Sequence, residues 1–222
     1  MTSINETKSF VWRASGLVIL FCSLAFYGHQ QILKPSGHLH SNDFKHIYLG
    51  SRMLDMGQDP YDAALFLKEA SFHGFTTVLP YVYLPFTGLV LRPLAQLEFP
   101  RAVKIFFGLN HFLALASVWL MASRKRGDLF PREAFWILYL AIFFPLTRNS
   151  TAGQLNVILL FCYALIGYLD SRRLPPAVGA LTAFAALFKL SPGILFLYFA
   201  WTRQWKNLKW SFAFLFLFMG IS

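Results

Sequence analysis

Apolar and polar positions fall along this chain in long blocks. Largely apolar stretches cover Ala14 to Leu33, Ile105 to Ala122, Ala134 to Leu146, Leu155 to Leu169, Ala177 to Phe188, Leu190 to Trp201 and Trp210 to Met219. The first two are long enough to cross a hydrocarbon core of roughly 30 Å as ordinary helices. The pattern predicts an all-α, polytopic transmembrane fold with about seven membrane helices and further helices lying just outside the bilayer. The last stretch runs to Ser222 inside an apolar helix. Residues 1–222 are therefore expected to form one membrane module at the N-terminal part of a longer protein. Lys8 and Arg13 precede the first apolar run, and no small-x-small cleavage site follows it, so this run is expected to act as a signal anchor.

The polar block between the first two long stretches, residues 34–101, is expected to be one large external region. It holds Asp43, Asp55, Asp59, Asp62, Glu69 and Glu98, more than half of the 10 acidic residues. Phe44, Ile47, Tyr48, Ser51 and Leu54 recur at helical spacing and predict an amphipathic interfacial helix. Ser41 and Asn42 are its candidate N-caps and Gly57 its terminator, and Asp59-Pro60-Tyr61 predicts a turn. The segment from Tyr81 to Leu97 is interrupted by Arg92-Pro93, which leaves too short a run to cross. It is expected to lie in, or dip into, the outer leaflet.

Composition agrees with a membrane protein. Hydrophobic residues make up 56% of the chain and charged residues 14%, with 25 Phe, too little charge to cover a soluble domain of this length. The formal charge of +10 is spread between apolar spans and does not read as a nucleic-acid footprint. It falls in three clusters: Arg124-Lys125-Arg126 with Arg132, Arg172-Arg173, and Arg203 with Lys206 and Lys209. Placing all three in the cytoplasm requires an even number of crossings between each pair. Thr147 to Gln154 is then an external loop, and two short helices broken at Lys189-Leu190-Ser191-Pro192 form a hairpin. Cys22 and Cys162 fall inside apolar stretches and are expected to be buried thiols. His38 and His40 lack companions that would complete a zinc site, so no metal and no cofactor are expected.

Candidate chemistry gathers at the external breaks. Asp43 begins the interfacial helix, where backbone N–H groups keep a carboxylate ionised. It can take a proton from an attacking hydroxyl, or it can simply cap the helix. Lys189 and Arg148 lie where a lipid phosphate would lie, as a point charge and a bidentate fork, or as snorkelling side chains. Lys189 between two apolar half-helices is unfavourable unless something compensates it. Asn149, Gln154 and Asn156 offer amides for sugar hydroxyls or for loop backbone. Tyr81, Tyr83 and Pro85 suit an aromatic belt, or stacking on a sugar ring or prenyl chain.

Five motifs in order are Asp43-Phe44 with Tyr48, Gly57-Gln58-Asp59-Pro60-Tyr61, Tyr81-Val82-Tyr83-Leu84-Pro85-Phe86, Gly153-Gln154-Leu155-Asn156 and Lys189-Leu190-Ser191-Pro192. Together they resemble the GT-C superfamily of membrane glycosyltransferases, and within it glycosyltransferase family 87, which includes phosphatidylinositol mannoside mannosyltransferases. Leu84 departs from the family pattern, where a second Pro is frequent. The resemblance implies a catalytic Asp in the first external loop, at Asp43. It implies substrate contacts among Tyr48, Tyr61, Tyr83, Arg148, Asn149, Gln154, Asn156 and Lys189. It also implies one inverting transfer of a hexose, mannose foremost, from a polyprenyl-phosphate sugar to a lipid or glycan acceptor. Membrane lipids would be the other partners, and the cell (inner or plasma) membrane the location, with the active face external. The competing expectation is a non-catalytic polytopic protein, such as a lipid-linked sugar transporter or an inactive fragment.

Overall fold

Prolines and glycines set many of the boundaries in this fold. The computed structural model describes residues 2–36, 39, 42–122 and 130–221, with side chains over 14–36, 39, 42–122 and 133–221. His38, His40, Ser41, the Arg124-Lys125-Arg126 cluster and the side chains of Lys8, Arg13 and Arg132 lie outside these residues. All regular structure among the described residues is helical. Helix α1 (Thr2–Tyr27) runs on through a π-helical turn, Gly28–Leu33. Then come α2 (Asn42–Asp55), α3 (Ala63–Phe72), α4 (Pro85–Ala95) and α5 (Phe99–Ala122). The second half holds α6 (Phe130–Ile142), α7 (Phe144–Ala152), α8 (Asn156–Ser171) and α9 (Pro175–Phe188). A 3-10 turn (Ser191–Gly193), α10 (Ile194–Trp201) and α11 (Trp205–Met219) complete the order.

Two helical stretches, Ala14–Leu33 and Phe99–Ala122, are long and apolar enough to cross a membrane. A third span arises only if α7 and α8 count as one, bent by 118° at their break. Glu133–Ile142, Pro175–Phe188 and Ser191–Trp201 are shorter apolar helices. The described residues thus hold two to three candidate spans where about seven were expected, because prolines and breaks cut the later apolar runs short.

The clearest difference lies at Ala134 to Leu146. The apolar run is continuous, but α6 stops at Ile142. Pro145 has no N–H for the carbonyl of Ala141, four residues back. Gln31 of the π-helical turn supplies the missing donor, its Nε2 reaching Leu140 O and Ala141 O at 3.0 Å each. Thr147 Oγ1 then donates to Gln31 Oε1 at 2.8 Å. Pro145 falls in the first turn of α7, where its lost N–H costs nothing. Thr147 to Ala152, expected as loop, is therefore helical.

The same logic, read correctly from sequence, operates at the end of α9. Helix α9 stops at Phe188, Lys189 is extended, and the chain turns through Ser191–Gly193. Val178 of α9 and Phe199 of α10 bury in one cluster with Ile166, so α10 runs back towards the start of α9. Helix α11 packs along α9, with Gly179 against the backbone of Trp210. Asn207 Nδ2 donates to Asp170 Oδ1 at 2.9 Å and ties the start of α11 to the end of α8. Arg172, Arg173, Arg203, Lys206 and Lys209 consequently gather at one end of the bundle. The π-helical turn, the start of α2, the α7–α8 turn and Lys189 gather at the other.

At that second end, α2 and α4 pack closely. Gly50 lies under the Tyr81 ring, and a Cβ on Gly88 would come within 3.5 Å of Ser51 Cα. Helix α2 is buried on more than one face: His46, Leu49 and Met53 are covered as well as Phe44, Ile47, Tyr48 and Ser51. It is a helix packed on several faces, where a single buried stripe was expected. Gly57, with φ of 69°, ends it, and Tyr61 N–H donates to Asp59 Oδ1 at 2.9 Å in the expected turn. Asn42 is already the first helical residue. Helix α4 continues through Pro93 to Ala95, and Arg92 pairs with Asp55 of α2. At about 16 Å long, α4 is too short to cross a bilayer. Cys162 is buried as expected, whereas Cys22 is exposed on α1.

Candidate active site

Asp43 occupies the first turn of α2, where the helix dipole favours its negative charge. Phe44, next to it, is buried and stacks on Phe106 of α5 with ring centroids 4.6 Å apart. Outside the bilayer such a fully buried Phe contributes about 1.5–3 kcal/mol, enough to fix the start of α2 on the bundle. Against Phe44 lies Gly153, the left-handed C-cap of α7, with φ of 77°. A Cβ at Gly153 would sit 2.5 Å from Phe44 Cβ and 3.3 Å from Phe44 N. Only glycine permits both the conformation and this approach. The next residue, Gln154, is thereby delivered to Asp43.

A continuous hydrogen-bonded chain follows. Lys189 Nζ donates to Asn156 Oδ1 at 2.8 Å, and Asn156 Nδ2 donates to Gln154 Oε1 at 3.0 Å. Gln154 Nε2 donates to Asp43 Oδ2 at 2.6 Å. An ammonium only donates and a carboxylate only accepts, so the two ends fix the orientation of both amides between them. The chain joins three segments remote in sequence: the start of α2, the α7–α8 turn and the residue after α9. Lys189 at the C-terminus of α9 and Asp43 at the N-terminus of α2 each carry the charge that their helix end favours. Among the described residues Asp43 Oδ1 has no protein donor, and both end groups remain partly exposed.

Two further residues shape the site. His46, one turn after Asp43, is 4% exposed and lies parallel to the Tyr83 ring, with centroids 5.8 Å apart. Burial holds its pKa below the ordinary histidine value, against the opposing pull of Asp43 and of the Asn42 carbonyl. Tyr83 is raised by burial and then by the negative charge of Asp43. Thr87 of α4 donates to the carbonyl where α9 breaks and so supports Lys189. Sequence reasoning missed both His46 and Thr87. The i, i+3 spacing of His46 from Asp43 was a usable signal.

Two grooves flank the chain. One of about 330 Å³ is lined by Tyr83, Phe188 and Lys189 together with Val82, Leu84 and Leu187. The other, about 270 Å³, has Asn149, Gln154 and Asn156 above apolar walls that include Leu140, Val157 and Leu160. Asn149 Oδ1 is buried there without a partner, while its Nδ2 donates to Gln154 O at 3.4 Å.

The remaining expected residues lie elsewhere. Tyr48 is buried in the core, its hydroxyl donating to Leu97 O at 2.7 Å. Tyr61 is half exposed and donates to Tyr83 O at 2.5 Å, so it braces Tyr83 from behind. Arg148 is exposed on another face of α7 and lines a separate groove with Lys34. The structure brings together Asp43, Gln154, Asn156 and Lys189, with Asn149 and Tyr83 beside them, and leaves out Arg148 and Tyr48. Among the described residues no group of three or more His, Cys, Asp or Glu side chains is arranged to hold a metal.

Comparison with known proteins bears on the same segments. The family model for glycosyltransferase family 87 matches residues 81–222, which include Gln154, Asn156 and Lys189. A polyprenol-phosphate-mannose-dependent alpha-(1-2)-phosphatidylinositol pentamannoside mannosyltransferase from Mycolicibacterium smegmatis is 29% identical over 182 residues. That alignment covers 80% of this chain and 42% of the relative, so the chain spans less than half of that protein's length. No solved structure matches the chain.

Proposed function

This chain belongs to glycosyltransferase family 87, and we propose that it carries the base and the leaving-group contact of an inverting membrane hexosyltransferase. The donor is a polyprenyl-phosphate sugar, with mannose the first choice from the relative's name, and the acceptor is a lipid or glycan hydroxyl. One observation carries this reading: the unbroken chain from Lys189 through Asn156 and Gln154 to Asp43. It spaces a carboxylate and an ammonium by two neutral amides, so the two charges do not pair directly and each stays available to a different part of the substrate.

Asp43 Oδ1 accepts the proton of the acceptor hydroxyl as that oxygen attacks the anomeric carbon. The bond from that carbon to the phosphate oxygen breaks on the opposite face, and polyprenyl phosphate leaves with the electron pair. Lys189 meets the negative charge that develops on the leaving phosphate, where a preorganised cation has its largest effect. Gln154 holds the Asp43 carboxylate aimed through its hydrogen bond, and Asn149 and Asn156 contact sugar hydroxyls. The basic residues at the far end of the bundle support a site on the non-cytoplasmic side. A transporter needs polar breaks that open to both faces in turn. Here the breaks after α6, α7 and α9 all lie at the Asp43 end, which favours the enzyme.

The test is Asp43→Asn in the full-length protein. The Asn carbonyl still accepts from Gln154, and Asn is nearly as good as Asp at a helix start, so folding should hold. Loss of the base should lower turnover by at least about a hundredfold. Unchanged turnover in a well-folded variant would reduce Asp43 to a structural residue.

A further inference from the structure

A cavity of about 490 Å³ lies away from Asp43, between the π-helical turn, α6 and α7. Lys34 and Arg148 line it from elements far apart in sequence, together with Gln30 and the apolar side chains of Phe26, Ile142 and Phe144. Among the described residues no acidic side chain lines it. Among the described residues neither cation has a carboxylate within salt-bridge reach, and both are exposed.

The level of these groups identifies what they meet. Lys34 directly follows Leu33, the last residue of a candidate span. Arg148 lies one helical turn after Phe144. Ile142 and Phe144 are 67% and 68% exposed, too apolar to face water comfortably in that number. Cations at the end of a span, above an exposed apolar wall, match the boundary between phosphate and acyl chain. A free phosphate ion would use the cations and leave the wall without a purpose. The groove also uses Thr147, Arg148 and Thr151 of α7, whereas the groove beside Gln154 uses Pro145, Leu146 and Asn149. The two grooves therefore lie on different faces of one short helix.

We infer that this groove is a second lipid site, which seats the phosphodiester of an anionic membrane phospholipid between Lys34 and Arg148 and its acyl chain along Phe26, Ile142 and Phe144. A lipid held there braces α1 against α7, the helix whose far end presents Gln154 to Asp43.

Native mass spectrometry of the full-length protein, titrated with phosphatidylglycerol and with phosphatidylcholine, reads the site directly. The wild type should retain phosphatidylglycerol preferentially. The pair Lys34→Gln with Arg148→Gln should weaken that binding about tenfold or more, given what two basic residues contribute near an anionic surface. Lys206→Gln with Lys209→Gln, at the opposite end, should leave it unchanged, and Phe144→Ala should weaken it further. Equal losses from both pairs would mean unspecific surface charge and would overturn the site. Inorganic phosphate competing fully, with Phe144→Ala silent, would make it an ion site. A rise in the acceptor's KM in the Lys34/Arg148 pair, with phosphatidylglycerol retained, would assign these cations to the acceptor and overturn the inference equally.

Discussion

Thr87 Oγ1 donates to the carbonyl oxygen of Phe188 at 2.9 Å, and that carbonyl is the one whose helical donor would have been Pro192. The proline that ends α9 thus creates an orphan acceptor, and a hydroxyl from α4 satisfies it. Lys189 is the next residue, so the bond anchors the site's ammonium. Thr87→Val keeps the shape and removes the donor, leaving a buried carbonyl unsatisfied at a cost of about 1–3 kcal/mol. We expect a lower melting temperature and a fall in kcat larger than any change in acceptor KM. Thr87→Ser should restore both. Identical behaviour of the Val and Ser variants would show that the bond does not position Lys189.

Gly153 offers a second check on how the chain is assembled. Its φ of 77° and its contact with Phe44 both exclude a side chain. Placing alanine there costs roughly 1–2 kcal/mol for the left-handed conformation alone. The clash with Phe44 involves its backbone and Cβ, which cannot swing aside as a flexible side-chain tip would. Gly153→Ala should therefore destabilise the protein and separate Gln154 from Asp43, with turnover falling in step. Gly108→Ala is the control, since a Cβ there meets nothing within 4 Å. A thermal melt of the two variants side by side decides the matter. Equal stability would mean that α7 does not press on Phe44.

Much of this was legible in the sequence where the governing rule is local. Pro192 announces a helix end, Gly57 a helix stop and Asp59 a turn, because each acts through its own backbone. The run from Ala134 to Leu146 misled because hydropathy does not register that Pro145 can open a helix as readily as it closes one. That single shift makes a helix of α7 and turns Arg148 away from Lys189, although both stand at breaks near the membrane boundary. Asp43 was identifiable as an acid at a helix start, and Gln154, Asn156 and Lys189 as polar residues at breaks between apolar runs. Their union was not, because it depends on Gly153 meeting Phe44, a contact that no spacing reveals. Tyr48 shares a helix face with Phe44, and that face is core, which explains why its hydroxyl ends on Leu97.

His46 makes the stability of α2 and its neighbours depend on pH. Asp43 and Tyr83 are the titratable groups that face it, and burial keeps its folded-state pKa below the unfolded value of about 6.5. As pH falls through that value the unfolded chain takes up the proton first, so the folded state loses stability on the acid side. Above it, both states are neutral at His46 and no penalty applies. His46→Phe keeps a ring beside Tyr83 and removes the proton site. Between pH 7.5 and 5.5 (values chosen as roughly one unit either side of the free histidine pKa), the wild-type melting temperature should fall more than that of the variant. Parallel curves would mean that the ring is solvated and that its burial has no consequence.

The sharpest test of the proposed chemistry sets Lys189 against Lys206. Both follow helix ends or starts in the apolar half of the chain, but Lys189 bonds to Asn156 in the site while Lys206 lies among the basic residues of the other end. Replacing either by Met keeps much of the stem and removes the charge, so packing changes little. If Lys189 meets the phosphate as it departs, its contribution belongs to the transition state. Loss of one preorganised donor of this kind lowers turnover about a hundredfold, or roughly 2.7 kcal/mol. Lys189→Met should show that loss in kcat, while Lys206→Met should be near silent. Asn156→Ala should fall between them, because it removes the support of the ammonium and spares its charge. Full-length variants assayed with a synthetic polyprenyl-phosphate mannose give the three numbers. Equal, mild losses at Lys189 and Lys206 would leave Lys189 as a snorkelling residue and return the phosphate contact to some other cation.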